Sequence, residues 1–386
     1  SRIVGDLMRV DKLEDQWSQE HLMTGVRLSK WLEILGRGKW KVSADYYHRV
    51  AFVTGLSLTS SVLGRIEESR FGRQIANMDI KPTPLFVLGH WRSGTTHMHN
   101  LMGRDPNHTY STLYQCVFPD HFLTTSGMGT SLLANSLSET RSYDNVKHGW
   151  DAAAEDEIAL MKLTDGLSFY SALMFPDQSA EYEKFIDFIE ATPDERLQWR
   201  KALEYFVKKI MIQTGGKRVV VKSCAHSARI RMILDVFPDA KFIHIHRHPA
   251  RTFRSMVHMR SKVDWENFLH RPDESFINGR EEHTALVGQR LYTRLIEDRA
   301  LIPEGNLVEI AYSDLVGNEL EVLRGVYDKL RLPDWDNYER NIKPYLDSIA
   351  GYQVNKLVID PELEEFVYDR WRIVYDTYGY PKEYVA

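Results

Sequence analysis

The run Gly89-His-Trp-Arg-Ser-Gly-Thr-Thr96 places two glycines, one arginine and three hydroxyls within eight positions. Such a set suits an anion. Arg92 offers a planar, permanently charged fork to phosphate or sulfate oxygens. Ser93, Thr95 and Thr96 add hydroxyl donors, and Gly89 and Gly94 allow a tight turn. The glycines and Thr96 match the phosphate-loop pattern G-x-x-x-x-G-K-[ST], but Thr95 stands where its lysine belongs. That lysine reaches the β/γ-phosphates of a nucleoside triphosphate. Its replacement weakens a kinase or NTPase reading and favours a loop that cradles a 5′-phosphate, with Arg92 as its cation.

Further chemistry-bearing residues follow downstream. Lys222 closes the apolar run Val219–Val221, and Arg247 follows Lys241-Phe-Ile-His-Ile-His246, with Ser255 eight residues later. Tyr312 closes the run from Asn306. Candidates for a proton acceptor are Glu155, His226, His90, His97 and His99. Glu155 lies in the acidic run Glu155-Asp-Glu157 just before Ile-Ala-Leu, where partial desolvation would raise its pKa, although a helix N-terminus also favours acids. Cys116 and Cys224 are the two cysteines, which gives neither a disulfide framework nor a zinc cluster. No metal is expected, with the Glu155–Glu157 run as the one place to question this.

These residues need a scaffold that brings them together. Leu85–Leu88 are continuously apolar, as in a strand buried on both faces, and Thr95 onward opens a helix with Met98, Leu101 and Met102 on its apolar side. A helix N-terminus after such a loop presents unpaired N–H groups to an anion. Further strands are read at 218–222, 241–246 and 306–312. Helices are read near 193–213, 226–236, 250–262, 283–301 and 315–331. Alternating strands and helices predict an α/β fold, a doubly wound parallel sheet with a P-loop-like phosphate loop. Ligands of such sheets sit beyond the carboxyl ends of the strands, where Gly89, Lys222, Arg247 and Tyr312 fall. Residues 1–80 read as an N-terminal helical extension, and 81–386 as the main domain, with Lys81-Pro-Thr-Pro84 between them.

With these residues in view, the sequence resembles the sulfotransferases that use 3′-phosphoadenosine 5′-phosphosulfate (PAPS), from about residue 82 onward, in a bacterial and algal branch with a G-H-W-R-S-G-T-T loop. The element Arg92-Ser-Gly-Thr-Thr96 looks like that family's 5′-phosphosulfate loop. Arg247-His-Pro249 with Ser255 looks like its 3′-phosphate element. Glu155–Leu160, Lys222–His226 and Tyr312–Leu315 are similar to further family segments.

The resemblance implies transfer of a sulfuryl group to a hydroxyl or amine of a small-molecule, lipid or sugar acceptor. It implies catalytic roles among Lys222, Arg92, Glu155, His97 and His226. It implies donor contacts from Arg92, Ser93, Gly94, Thr95, Thr96, His97, Arg247, Ser255, Tyr312 and Lys356, the last in a segment Gly351–Lys356 placed like a nucleotide-binding loop. Two positions depart from many cytosolic relatives: Cys224 where they carry a histidine two residues after the lysine, and His97 where they often carry an adenine-stacking tryptophan.

The chain has 386 residues and a formal net charge of −5, which gives no overall basic field for nucleic acid. The most apolar stretch, Val50–Leu63, is too short and too interrupted to span a bilayer. It reads as a buried or dimer-contact helix, leaving a homo-oligomer open. The sequence starts at Ser1 without a methionine, so a lost targeting segment stays open, and the expected location is the cytoplasm. Two rival readings are a P-loop nucleotide kinase or NTPase and a non-catalytic nucleotide-binding protein. Thr95 argues against the first. Lys222, retained with both phosphate elements, argues against the second.

Overall fold

The computed structural model describes residues 21–133, 136–137, 149–350 and 358–383. Lys356 and the rest of the Gly351–Lys356 segment lie outside the described residues. Helices α1 (Leu28–Arg37) and α2 (Tyr47–Asn77) precede strand β1 (Leu85–Leu88), helix α3 (Thr95–Met102) and strand β2 (His108–Tyr110). Helices α4 (Leu113–Val117), α5 (Phe122–Leu132), α6 (Glu157–Leu163), α7 (Ser179–Glu183) and α8 (Pro193–Thr214) follow. Then come β3 (Arg218–Lys222), α9 (Ile230–Val236), β4 (Lys241–His246), α10 (Pro249–Val263), α11 (Glu274–Asp298) and β5 (Leu307–Ala311). The chain continues through α12 (Tyr312–Leu315), α13 (Glu319–Leu330), α14 (Trp335–Ile349) and α15 (Pro361–Tyr378).

The described residues fold into two compact units that alternate along the sequence: those within Ser1–Asp79, Thr112–Lys209 and Val257–His283 form one, and those within Ile80–Ser111, Ile210–Met256 and Thr284–Ala386 form the other. The second unit holds a five-stranded, all-parallel sheet in the order β2-β3-β1-β4-β5. All four residues of β1 are buried, which explains its unbroken apolar run. It is flanked by β3 (Val87 beside Lys222) and by β4 (Leu88 beside His244). Strand order switches at β1, with β3 on one side and β4 on the other, so the carboxyl ends of these three strands bound the crevice where parallel sheets bind ligands. Val87, Met98, Leu101, Val220, Ile243 and Ile310 are among the core residues that fix the sheet against its helices.

The first unit is helical apart from an isolated bridge between Thr112 and Ala153. Arg49 of α2 donates to the carbonyls of Trp265 (2.9 Å) and Phe268 (2.8 Å), tying the N-terminal helices to residues far along the chain. Glu67 of α2 and Lys209 of α8 form an ion pair with both side chains fully buried. Lys209 also donates to the Pro119 carbonyl, and Glu67 accepts from the Thr124 N–H at 2.9 Å. The predicted apolar stretch 50–63 lies inside the 31-residue α2. No helix among the described residues is long and apolar enough to cross a membrane.

Most predicted boundaries hold to within a few residues, with local differences. The stretch 226–236 begins as a 3-10 turn, Cys224–Ala228, before α9. Helix α11 starts at Glu274 rather than near 283. The stretch 315–331 divides into α12 and α13 around Gly317, whose φ is +86°.

Candidate functional site

The loop after β1 is set by two glycines. Gly89 has φ +145°, and a Cβ there would sit 2.4 Å from the Ile245 carbonyl. Gly94 has φ +110°, and its Cβ would sit 2.3 Å from the Tyr312 ring. Both positions exclude a side chain by conformation and by space. The Gly89 N–H donates to Ser227 Oγ at 2.8 Å, which anchors the loop to the turn after β3. Thr95 is buried at the first position of α3, its Oγ1 lying 3.6 Å from Cys224 Sγ. Ser93 is fully buried, yet its Oγ has no hydrogen-bond partner. The same holds for Ser223 Oγ, next to Lys222. Such a buried hydroxyl has bonding capacity that a ligand atom or a water can take up.

Arg92 takes the left-handed conformation (φ +69°), uncommon for a residue with a Cβ and frequent at ligand-binding turns. Its Nε donates to Ser255 Oγ at 3.0 Å. Its carbonyl accepts from Arg247 Nη1 at 3.2 Å. The Arg247 guanidinium lies 4.8 Å from the Tyr312 ring centre, within cation–π range. Burial lowers the Arg247 pKa, and the charges of Arg251 and Arg92 act in the same direction. The structure therefore brings Arg92, Ser93, Gly94, Thr95, Arg247, Ser255 and Tyr312 into one group. Tyr312 opens α12 directly after β5 and covers the Gly94 backbone.

Lys222 is buried at the end of β3, beside Val87. Thr96 and His97 follow in the first turn of α3. His97 Nε2 is 3.5 Å from Glu319 Oε1. Burial lowers the His97 pKa, while Glu319 acts in the opposite direction. His99 is buried with Nε2 3.1 Å from the Val220 carbonyl, and His90 is buried against Trp371 and Tyr292. Burial pushes His90 down to about 4. His226 is fully buried with its ring edge-on to Phe86.

Glu155 belongs to the first unit, where it accepts a 2.8 Å hydrogen bond from Tyr170 Oη. Its neighbour Glu157 is fully buried and accepts from Ser168 Oγ at 2.5 Å. Among the described residues, no cluster of three or more His, Cys, Asp or Glu could hold a metal ion. Sequence reasoning missed Ser227 and Ser223. Their signal was Lys222-Ser-x-x-x-Ser227 immediately after a predicted strand.

Comparison with known proteins agrees with this geometry. The sequence model of the sulfotransferase family matches residues 84–337. The omega-hydroxy-beta-dihydromenaquinone-9 sulfotransferases Stf3 of Mycobacterium bovis and Mycobacterium tuberculosis are each 32% identical over 362 residues, covering 94% of this chain and 92% of theirs. In fold, the chain resembles sulfotransferase STF9 from Mycobacterium avium (TM-score 0.65, 16% identity, 96% of this chain and 100% of that one). It also resembles STF1 from Mycobacterium tuberculosis H37Rv (TM-score 0.61, 17% identity, 95% and 99%). The chain belongs to the sulfotransferase family. It is an enzyme that transfers a sulfuryl group, on an α/β P-loop-like fold.

Proposed function

We propose that the sulfuryl donor is PAPS and that the loop after β1 with the Arg247–Ser255 element holds its two phosphate ends. The observation that carries this reading is the join between the two elements, Arg92 Nε to Ser255 Oγ and Arg247 to the Arg92 carbonyl. A loop and a helix fixed to one another in this way suit a ligand with anions at both ends. The orphaned hydroxyl of Ser93 fits the same ligand.

When bound, the donor supplies a sulfuryl group that leaves a 5′-phosphate oxygen as an acceptor oxygen approaches in line. The chain's own residues then have separate tasks. The N–H groups opening α3, with Thr95 and Thr96, hold the 5′ end. Lys222 and Arg92 offset the negative charge that grows on the leaving phosphate oxygen. Arg247 and Ser255 bind the 3′-phosphate, and Tyr312 shapes the adenine side. Glu155 takes the acceptor's proton, with Tyr170 fixing the carboxylate. His97 and His226 are the alternative acceptors.

The acceptor is a hydroxyl of a small molecule. The Stf3 proteins are named for an omega-hydroxy dihydromenaquinone, so that compound is the first to try. Calorimetry with 3′-phosphoadenosine 5′-phosphate (PAP) and 5′-AMP tests the donor. Arg247→Ala should weaken PAP by roughly 2–5 kcal/mol, as for a lost desolvated charge pair, and AMP much less. Equal losses for both ligands would remove the assignment. Incubation with PAPS and candidate acceptors, read by mass for one added sulfuryl group, tests the reaction.

A further inference from the structure

Arg251 lies one turn before Ser255 on α10, so the two side chains share a helix face. Ser255 Oγ accepts from Arg92, and Arg92 in turn receives Arg247 at its carbonyl. Arg92 thus meets the Ser255 hydroxyl, and Arg92 and Arg251 both lie near enough to Arg247 to act on its charge. Like charges gathered in this way repel each other unless an anion joins them. A carboxylate reaches this group from the C-terminal segment: Glu383 Oε1 accepts from Arg251 Nε at 2.5 Å and lies 4.0 Å from His248 Nδ1.

The segment that carries Glu383 is itself pinned beside Arg247. His246 Nδ1 is 2.7 Å from Tyr380 Oη, and the His246 ring stacks on Tyr378 at 4.0 Å. His248 Nε2 is 2.9 Å from the Pro381 carbonyl. The residues on both sides of Arg247 are therefore clipped by residues 378–383. The Arg251–Glu383 pair is partly solvated, with side chains 52% and 23% exposed, and a solvated ion pair of this kind contributes little. A phosphate dianion offers Arg251 more charge and two parallel acceptors, so it would displace a monocarboxylate.

We propose that Arg251 is an additional ligand of the donor's 3′-phosphate, and that Glu383 serves as its internal counter-anion until the donor binds. The proposal rests on the PAPS reading above. It makes Glu383 a built-in competitor that lowers affinity for 3′-phosphorylated nucleotides alone.

The test is calorimetry of PAP and 5′-AMP against the full chain and three variants. Arg251→Ala should weaken PAP about tenfold and leave AMP unchanged, and Arg251→Lys should recover part of the loss. Glu383→Gln should tighten PAP several-fold with AMP unchanged. Melting temperatures without ligand check that each variant folds. Unchanged or weaker PAP binding in folded Glu383→Gln, or unchanged PAP binding in folded Arg251→Ala, overturns the proposal. Arg247→Ala separates the two readings. If it abolishes the PAP preference while Arg251 and Glu383 variants do nothing, only this inference fails. If the unmodified chain does not distinguish PAP from AMP, the donor reading fails with it.

Discussion

At the scale of single residues, the roles proposed for Lys222, at the end of β3, and Arg92, in the loop after β1, answer one demand. Charge appears on the leaving oxygen only as the sulfur–oxygen bond lengthens, so a cation there stabilises the transition state more than the bound donor. Lys222→Ala should therefore lower kcat about 100-fold or more, with a smaller effect on PAP affinity, in steady-state assays alongside calorimetry. Near-unchanged turnover would take Lys222 out of the mechanism. The base is tested by Glu155→Gln, which keeps the shape and removes the basicity. Turnover should collapse while PAP binding persists. If His97→Asn or His226→Asn loses activity instead, that histidine is the base. Arg92, Arg247 and Lys222 were legible in the sequence because each sits in a short contiguous run beside a strand. Ser227 and Glu383 were not, since each meets its partner only through the fold, 138 residues from Gly89 and 132 from Arg251.

At the scale of elements, the turn between β1 and α3 tolerates no side chain at Gly94, which packs its backbone on the Tyr312 ring. Gly94→Ala adds a methyl group against an aromatic face at a φ that alanine resists. It should cost roughly 1–3 kcal/mol and displace Tyr312, so thermal unfolding and PAP affinity should both fall. A variant that melts and binds like the parent would show that the turn can relax. The main strands were readable from their apolar runs. Strand β2 was not, because His108-Thr-Tyr110 carries no such run and is a strand only through its pairing with β3. Helix α14 also escaped: it holds Pro344 and is polar along most of its length, and its buried anchors are Tyr338 and Ile342.

At the scale of the whole molecule, buried bases make stability depend on acid. Burial, with Arg49 nearby, pushes His21 down to about 3. Burial pushes His90 to about 4, burial with Lys209 pushes His121 to about 4, and burial with His244 pushes His246 to about 4. An unfolded chain protonates these rings near 6.5, whereas the folded one resists until about 4. Unfolding then takes up protons, so stability falls as pH drops through that window. Glu309 adds a lower step. Burial alone would raise its pKa, but His244, Arg299 and Tyr378 hold it at about 2, so its contribution is lost only below the usual carboxylate range. Melting temperature should decline steadily from pH 6.5 to 4; a flat profile would mean that the rings open to solvent without unfolding.

The buried Glu67–Lys209 pair makes a second whole-molecule prediction. Lys209→Met leaves Glu67 charged or forces a proton onto it, and should cost about 3–5 kcal/mol in denaturant unfolding. A chain shortened to residues 81–386 removes Glu67 and strands Lys209 in the same way. It should be insoluble or melt far below the full chain, and a well-folded fragment would show that the extension is dispensable.

The clip that holds His246 and His248 also imposes a timetable on synthesis. A ribosome adding about 5–20 residues per second makes Gly94 roughly 15–60 s before Glu383. Early in that interval the nascent chain has its phosphate loop, then Lys222 and Arg247, whereas Tyr312 comes later and Tyr378 and Tyr380 almost at its end. Arg247 and Arg251 are thus made before the aromatic ring and the carboxylate that accompany them in the fold. The clip on either side of Arg247 can therefore close only after residues 378–383 have been made, at the very end of synthesis.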